Sequence, residues 1–208
     1  MSDGLMVAVP RGALFAGALD LLERLELDVR EVRENDRKLL FEGPGIVTMR
    51  PSDVPTYVEH GSADIGITGK DVLLEQSDRK VYELLDLAYG ECRMVVAARD
   101  EGNAISDALR RLGRVRIATK YPRVAAEHFA RTGRQAEIVE VKGSVELAPL
   151  TGLVDGIVDL TASGRTLEEN RLRVLEEIGV CTARLIANPV SHKLKAGAID
   201  RLVERIRG

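Results

Sequence analysis

A chain of 208 residues with 45% hydrophobic side chains is long enough for one large or two small cored domains, and its composition gives no sign of disorder. Thirty basic against thirty-three acidic side chains leave a net charge of −3. The chain as a whole therefore has no electrostatic reason to seek nucleic acid, and anion binding must come from local basic clusters. Cys92 and Cys181, far apart in sequence, are too few for a disulfide framework and lack the paired spacing of a zinc site, so they read as small buried hydrophobes. No apolar run approaches bilayer-spanning length, and MSDGLMVAVPRG carries no basic region ahead of its apolar residues, so a cytoplasmic protein without membrane contact is expected.

Residues 5–9 read as a buried strand, and Pro10, Arg11 and Gly12 turn into a helix with Leu14, Phe15, Ala18, Leu19 and Leu22 at a 3.6-residue period. Arg11 thus sits at a strand-to-helix corner, where a lone arginine is by default an exposed charge. Segments 37–41 and 46–50 flank the turn EGPG and predict a β-hairpin. Pro51 then opens a helix, which places Arg50 beside a helix start; an anion there would feel both, and a salt bridge to Asp53 or Glu59 is the alternative. Residues 63–68 form a further strand ending at Gly69, Lys70 and Asp71. GITGK is not a phosphate-binding P-loop, since the first glycine of G-x-x-x-x-G-K would fall on Asp64.

From about residue 90 the chain begins a β-α-β alternation of its own: strand 93–98, helix 103–112, strand 115–119, helix 122–131, strand 137–141. Lys120 stands at a strand end of the kind where α/β sheets bind ligands, although most lysines are simply surface charges. Domain boundaries are expected near 90 and 170, giving 1–90 plus 170–208 as one domain and 91–169 as the other. Strands resume at 173–175 and 183–187, and Leu194, Ile199, Leu202, Val203 and Ile206 share one face of a last helix. His60, His128 and His192 are scattered without metal-ligand spacing.

The segment 146–167, ELAPLTGLVDGIVDLTASGRTL, holds the chemistry. Its apolar run GIVDL is broken by one carboxylate, Asp159, and leads into the small-residue loop Ala162, Ser163, Gly164, Arg165 and Thr166. Thr166 followed three residues later by Glu169 predicts a capping box at a helix start. Strand, loop and helix N-terminus together aim backbone N–H groups at one point, which suits a phosphate. Asp159 could accept hydrogen bonds from a vicinal diol, and the pair fits a phosphorylated sugar; the competing reading is an aspartate capping an ordinary loop.

The run Glu146, Gly152, Ile157, Asp159, Ser163, Gly164, Thr166 and Leu167 resembles the signature of the ATP phosphoribosyltransferase family, with Val154 where a small residue is usual. VAVPRGAL (7–14), MRPSDVPTYVEHGSADIGITGKDVLLE (49–75), LAYGECRMVVA (87–97), IATKYPRVAAEHFA (117–130) and ARLIANPVSHK (183–193) are similar to stretches of that family in the same order. The family usually has Lys at position 11 and Arg at 13, whereas this chain has Arg11 and Ala13, so the contact of the second residue has no counterpart.

The resemblance implies an α/β fold of two lobes, like type II periplasmic binding proteins, with substrates in the cleft between them. It implies attack of adenine N1 of ATP on the anomeric carbon of phosphoribosyl pyrophosphate, with inversion and loss of pyrophosphate, the first step of histidine biosynthesis. N1 carries a free lone pair, so no general base is needed, and catalysis falls to positioning and to stabilising the departing anion. By the same resemblance Arg50 and Asp159 are catalytic, and Glu146, Asp159 and loop residues Ala162 to Thr166 hold phosphoribosyl pyrophosphate. Arg11, Gly12, Arg37, Arg50 and Lys120 hold ATP or pyrophosphate. Mg2+ arrives on substrate phosphates without dedicated protein ligands. The chain resembles the short form of the family, which works as a homodimer core within a hetero-oligomer containing a histidine-sensing regulatory subunit related to histidyl-tRNA synthetase. The alternative is a non-catalytic two-lobed module that binds a solute or nucleotide.

Overall fold

The computed structural model describes residues 4–208. The chain divides into two compact units, one running to Gly90 and resuming at Thr182–Gly208, the other spanning Glu91–Cys181.

The first unit begins with β1 (Val7–Pro10), buried throughout, and α1 (Phe15–Arg24), which turns Ala18, Leu19, Leu21 and Leu22 inward at the predicted period. A short α2 (Arg30–Glu34) precedes β2 (Leu40–Phe41), which pairs antiparallel with β3 (Ile46–Met49). The expected hairpin is therefore present, with its first strand shortened to two residues. Pro51–Asp53 is a 3-10 turn that runs into α3 (Val54–Glu59), consistent with proline's fixed φ at a helix start. Then come β4 (Ile65–Gly69), α4 (Lys70–Glu75) and β5 (Tyr82–Asp86).

In the second unit β6 (Cys92–Arg99) leads to α5 (Ala104–Leu112), whose start is capped by Asn103 Oδ1 accepting from the Ser106 N–H at 3.2 Å. Next are β7 (Val115–Thr119), α6 (Pro122–Arg131) with proline in its first turn, β8 (Ala136–Glu140), α7 (Leu147–Leu150), β9 (Gly156–Thr161), α8 (Arg165–Glu169) and β10 (Leu172–Cys181). The sheet order is β10-β6-β9-β7-β8, with β7 parallel to both β8 and β9. β10 lies antiparallel along β6 from Leu172 opposite Arg99 to Cys181 opposite Cys92. The boundary expected near 170 thus falls at Cys181 instead, because the ladder to β6 ties all of 172–181 to the second unit. The same register makes the two cysteines cross-strand neighbours, the Cys92 thiol lying 3.7 Å from the Cys181 carbonyl oxygen.

The chain then returns to the first unit with β11 (Ala183–Ala187), α9 (Pro189–Leu194) and α10 (Ala196–Arg207). β11 enters antiparallel between β4 and β5 and completes the order β2-β3-β1-β4-β11-β5, in which β1 is parallel to β3 and β4. α10 buries Ile199 in the first unit's core, with Leu202, Val203 and Ile206 packed beside it. At the amino ends of β1 and β4 a polar hub fastens this last segment. Asp64, 7% exposed, accepts from the Met6 N–H (2.8 Å), the Ser191 hydroxyl (2.6 Å) and the Lys195 ammonium (2.8 Å). Asn188 caps α9 and donates to the carbonyls of Val58 and Glu59. The stretch 183–193 therefore serves the fold.

Candidate active site

Both sheets present the carboxyl ends of parallel strands whose crossovers leave in opposite directions, the arrangement at which open α/β sheets bind ligands. In the second unit that point lies between β7 and β9. The chain leaves β7 for β8 on one side, crosses back to β9, and leaves β9 for β10 on the other. Thr119 lies opposite Val158 in the parallel register, so Lys120 follows the end of β7 beside the β9 residue Asp159.

Asp159 is 8% exposed; its Oδ1 accepts from the Leu160 N–H at 2.8 Å, and its Oδ2 has no hydrogen-bond donor among the described residues. Burial pushes its pKa above the ordinary aspartate value; the Leu160 N–H and the Lys120 ammonium oppose this, and the nearby Glu146 carboxylate adds to it. Lys120, Glu146 and Asp159 therefore share one electrostatic neighbourhood. A largely buried carboxylate with an unbonded oxygen still open at the surface can accept from a ligand hydroxyl.

The loop after β9 is exposed at Ala162, Ser163, Arg165 and Thr166. Its turn is built by Thr161 Oγ1, which accepts from the Gly164 N–H at 3.0 Å, and by Ser163 Oγ, which accepts from the Arg165 N–H at 3.4 Å. Gly164 occupies the N-cap position of α8 at φ 83°, a left-handed conformation that glycine adopts without a Cβ penalty. The capping box expected with Thr166 as N-cap is not formed, because the N-cap lies two residues earlier, at Gly164, and Thr166 sits inside the first turn of α8. The Gly164 and Arg165 amides are thus taken up within the turn that directly follows β9.

In the first unit the matching switch point lies between β1 and β4. Pro10 pairs with Met49, so Arg11 and Arg50 follow the ends of two neighbouring parallel strands, and Lys70 follows β4. The Arg50 guanidinium is exposed and makes no hydrogen bond or ion pair with described residues. The salt-bridge alternatives are absent: Asp53 accepts from the Ser52 hydroxyl, and Glu59 is held by Arg79 at 2.9 Å and by the Lys80 N–H. Arg37 is exposed on the loop before β2, its N–H donating to Asn35 Oδ1. Gly12 is exposed at the corner into α1. Arg11 differs: its guanidinium donates to Thr48 Oγ1 at 3.1 Å and to the Lys38 carbonyl at 2.9 Å, and it lies 5.0 Å from the centre of the Phe15 ring.

Lys70 stands directly after the buried strand β4, a further cation at a strand end. Its ammonium joins Glu83 at 2.7 Å, which also meets Arg184 at 3.3 Å. Of the histidines, His60 is exposed, His128 joins Glu176 at 3.0 Å, and His192 stacks edge-on with Tyr82. No group of three His, Cys, Asp or Glu side chains among the described residues could hold a metal ion, and no helix among them is long and apolar enough to cross a membrane.

Known proteins place this pattern. A family model described as HisG: ATP phosphoribosyltransferase matches residues 50–208. An ATP phosphoribosyltransferase of Rubrobacter xylanophilus is 51% identical over 206 residues, covering 98% of this chain and 95% of that protein. Among solved structures, the ATP phosphoribosyl transferase (HisG:HisZ) complex of Thermotoga maritima is similar with a TM-score of 0.81 and 38% identity, over 98% of this chain and 96% of that one. The periplasmic aliphatic sulphonate binding protein SsuA of Escherichia coli matches at TM-score 0.62 and 12% identity, over 97% of this chain and 70% of that one, a likeness of fold alone. The fold is thus α/β in two units of the periplasmic-binding-protein kind. With the family match reaching from Arg50 through the β9 loop to the last helix, the chain belongs to the ATP phosphoribosyltransferase family.

Proposed function

We propose that the chain transfers the 5-phosphoribosyl group of phosphoribosyl pyrophosphate to N1 of ATP, giving N1-(5-phosphoribosyl)-ATP and pyrophosphate, the first step of histidine biosynthesis. The observation that carries this reading is the meeting of a dry, half-satisfied Asp159, Lys120, Glu146 and a small-residue amide loop at one switch point, in a chain 51% identical to a named ATP phosphoribosyltransferase.

In this reading Asp159, with Glu146 beside it, accepts from the ribose diol, and the Ser163 N–H with the N–H and hydroxyl of Thr166 cradle the 5-phosphate around the Gly164–Arg165 turn. Adenine N1 forms the bond to C1 while the C1–O bond breaks and its electron pair leaves with pyrophosphate. No proton need be removed from N1 for the bond to form. Arg50, without a hydrogen-bond or ion-pair partner among the described residues and set at a strand end, meets charge that grows on the leaving group, and Arg37, Gly12 and Lys120 hold the remaining phosphate oxygens.

In this reading Mg2+ would arrive on the substrate phosphates and supply charge neutralisation when bound. We further propose that the chain acts as a dimer core with a regulatory subunit resembling histidyl-tRNA synthetase, by analogy with the Thermotoga HisG:HisZ complex, and works in the cytoplasm, where its two charged substrates are held. Incubation with ATP, phosphoribosyl pyrophosphate and Mg2+ is the test. Pyrophosphate release that needs both substrates, with the absorbance of N1-substituted adenine, supports the reading; pyrophosphate release without ATP, or none in the native assembly, refutes it.

A further inference from the structure

Arg11 stands where an anion contact is expected, yet its guanidinium is engaged within its own unit. Three of its N–H groups point inward: Nε to Thr48 Oγ1 (3.1 Å), Nη2 to the Lys38 carbonyl (2.9 Å) and Nη2 to the Asn35 carbonyl (3.4 Å). Thr48 is 1% exposed on β3, so the Nε bond has a rigid anchor. The Phe15 ring of α1 lies 5.0 Å from the guanidinium carbon, a cation–π contact that fixes the plane of the fork.

Both carbonyls belong to the loop 35–38, which joins α2 to β2 and is exposed at every residue. Within it, Asn35 Oδ1 accepts from the N–H groups of Arg37 (3.2 Å) and Lys38 (3.0 Å), and Lys38 Nζ reaches Glu31 at 2.6 Å. Arg11 therefore grips the loop on either side of Arg37, while the Arg37 side chain itself makes no hydrogen bond or ion pair with described residues.

We propose that Arg11 is a positioning residue: it ties the loop 35–38 to β1 and β3 so that the Arg37 guanidinium is presented beside the strand ends carrying Gly12 and Arg50. Only a planar fork reaches Thr48 and the two loop carbonyls together; an ammonium cannot span them. An exposed loop without such a tie would sample many conformations, and Arg37 would lose its preorganisation. The inference rests on the proposed phosphoribosyl transfer for its kinetic readout, but not for its structural one.

The test is a double-mutant cycle on the full chain in its native assembly, with Arg11→Met and Arg11→Lys made in both the wild-type and Arg37→Ala backgrounds. Single-turnover pyrophosphate release and amide exchange of residues 35–39 are measured on each. Arg11→Met is expected to slow the reaction about tenfold in the wild-type background, the scale of a misplaced contact, and by less than about twofold when Arg37 is already gone. Arg11→Lys, which keeps the charge and loses the fork, should behave like Arg11→Met. Exchange at the Arg37 and Lys38 amides should accelerate in both variants. Equal slowing in the two backgrounds, full rescue by lysine, or unchanged exchange would each overturn the proposal and return Arg11 to a direct substrate contact. Should Arg11→Met fail to fold, Asn35→Ala frees the same two amides from within the loop and must show the same dependence on Arg37. If the wild-type assembly releases no pyrophosphate, the functional reading falls, whereas the exchange data still decide whether Arg11 holds the loop.

Discussion

Replacing Asp159 by asparagine should lower activity and raise stability at the same time, because the carboxylate is costly where it stands. It is 8% exposed, its one protein donor is the Leu160 N–H, and burial raises its pKa despite that bond and Lys120. An amide keeps the Oδ1 acceptor for Leu160 but puts a donor where Oδ2 would accept from the ribose diol. Loss of a charged hydrogen bond costs about 1.5–3 kcal/mol, so kcat/KM for phosphoribosyl pyrophosphate should fall about 10- to 100-fold. The stability change has a definite sign. A folded-state pKa above the unfolded value of 3.8 means that the penalty on the wild type grows as pH rises from 3.8 and is complete above the raised value, and that it vanishes below 3.8, where both states are protonated. Asp159→Asn should therefore melt at a higher temperature than wild type at neutral pH, with the gain disappearing in acid. Thermal unfolding across pH, with initial rates at neutral pH, gives both numbers. Unchanged kinetics together with a lower melting temperature at neutral pH would make Asp159 a turn residue and sink its role at the ribose.

Arg50→Ala should cut the single-turnover chemical rate by roughly a hundredfold, about 2.7 kcal/mol, the low end for losing one preorganised donor at a growing anion; a normal rate with a reduced melting temperature would make it structural. Gly164→Ala should raise the KM for phosphoribosyl pyrophosphate and cost about 1–2 kcal/mol of stability, since φ 83° is unfavourable for an L side chain even in open space; calorimetry and saturation curves check this, and a neutral outcome would contradict the left-handed N-cap. Asp64→Asn should destabilise the protein by roughly 1–3 kcal/mol at neutral pH with substrate KM values unchanged. Burial raises the Asp64 pKa, but bonds from Lys195, Ser191 and the Met6 N–H outweigh it and hold the value below 3.8, so its stabilisation is present above 3.8 and lost as pH falls through the folded value. Urea titrations at neutral and acid pH should show the mutant deficit shrinking in acid, and a deficit independent of pH would contradict this.

The parts of the site that could be read in the sequence are those that local pattern determines. GIVDL announced β9 because four apolar residues around one carboxylate leave few other fates, and small residues after it had to be a turn. The helix starts ahead of the Thr166 and Glu169 spacing because the hydroxyls of Thr161 and Ser163 fold the preceding turn so that a left-handed Gly164 takes the N-cap position. β5 went unseen since YELLD at a sheet edge is half exposed and has no alternation, and β10 was cut short because its two bulges break the period of a ten-residue strand. Tertiary partnerships had no local trace at all. Arg11 meets Thr48 across 37 positions, Asp64 meets Lys195 across 131, and Cys92 faces Cys181 although the intervening sequence made them look remote.

The most direct measurement of base-free, in-line transfer to N1 is the configuration of the product's anomeric carbon. Phosphoribosyl pyrophosphate labelled with 13C at C1, turned over with ATP and Mg2+ by the native assembly, should give a β-configured C1 bonded to adenine N1, seen by carbon–nitrogen NMR correlation. An α-configured product would mean two displacements at C1 and contradict direct in-line transfer, and a C1 bonded to water in place of N1 would contradict the transfer itself.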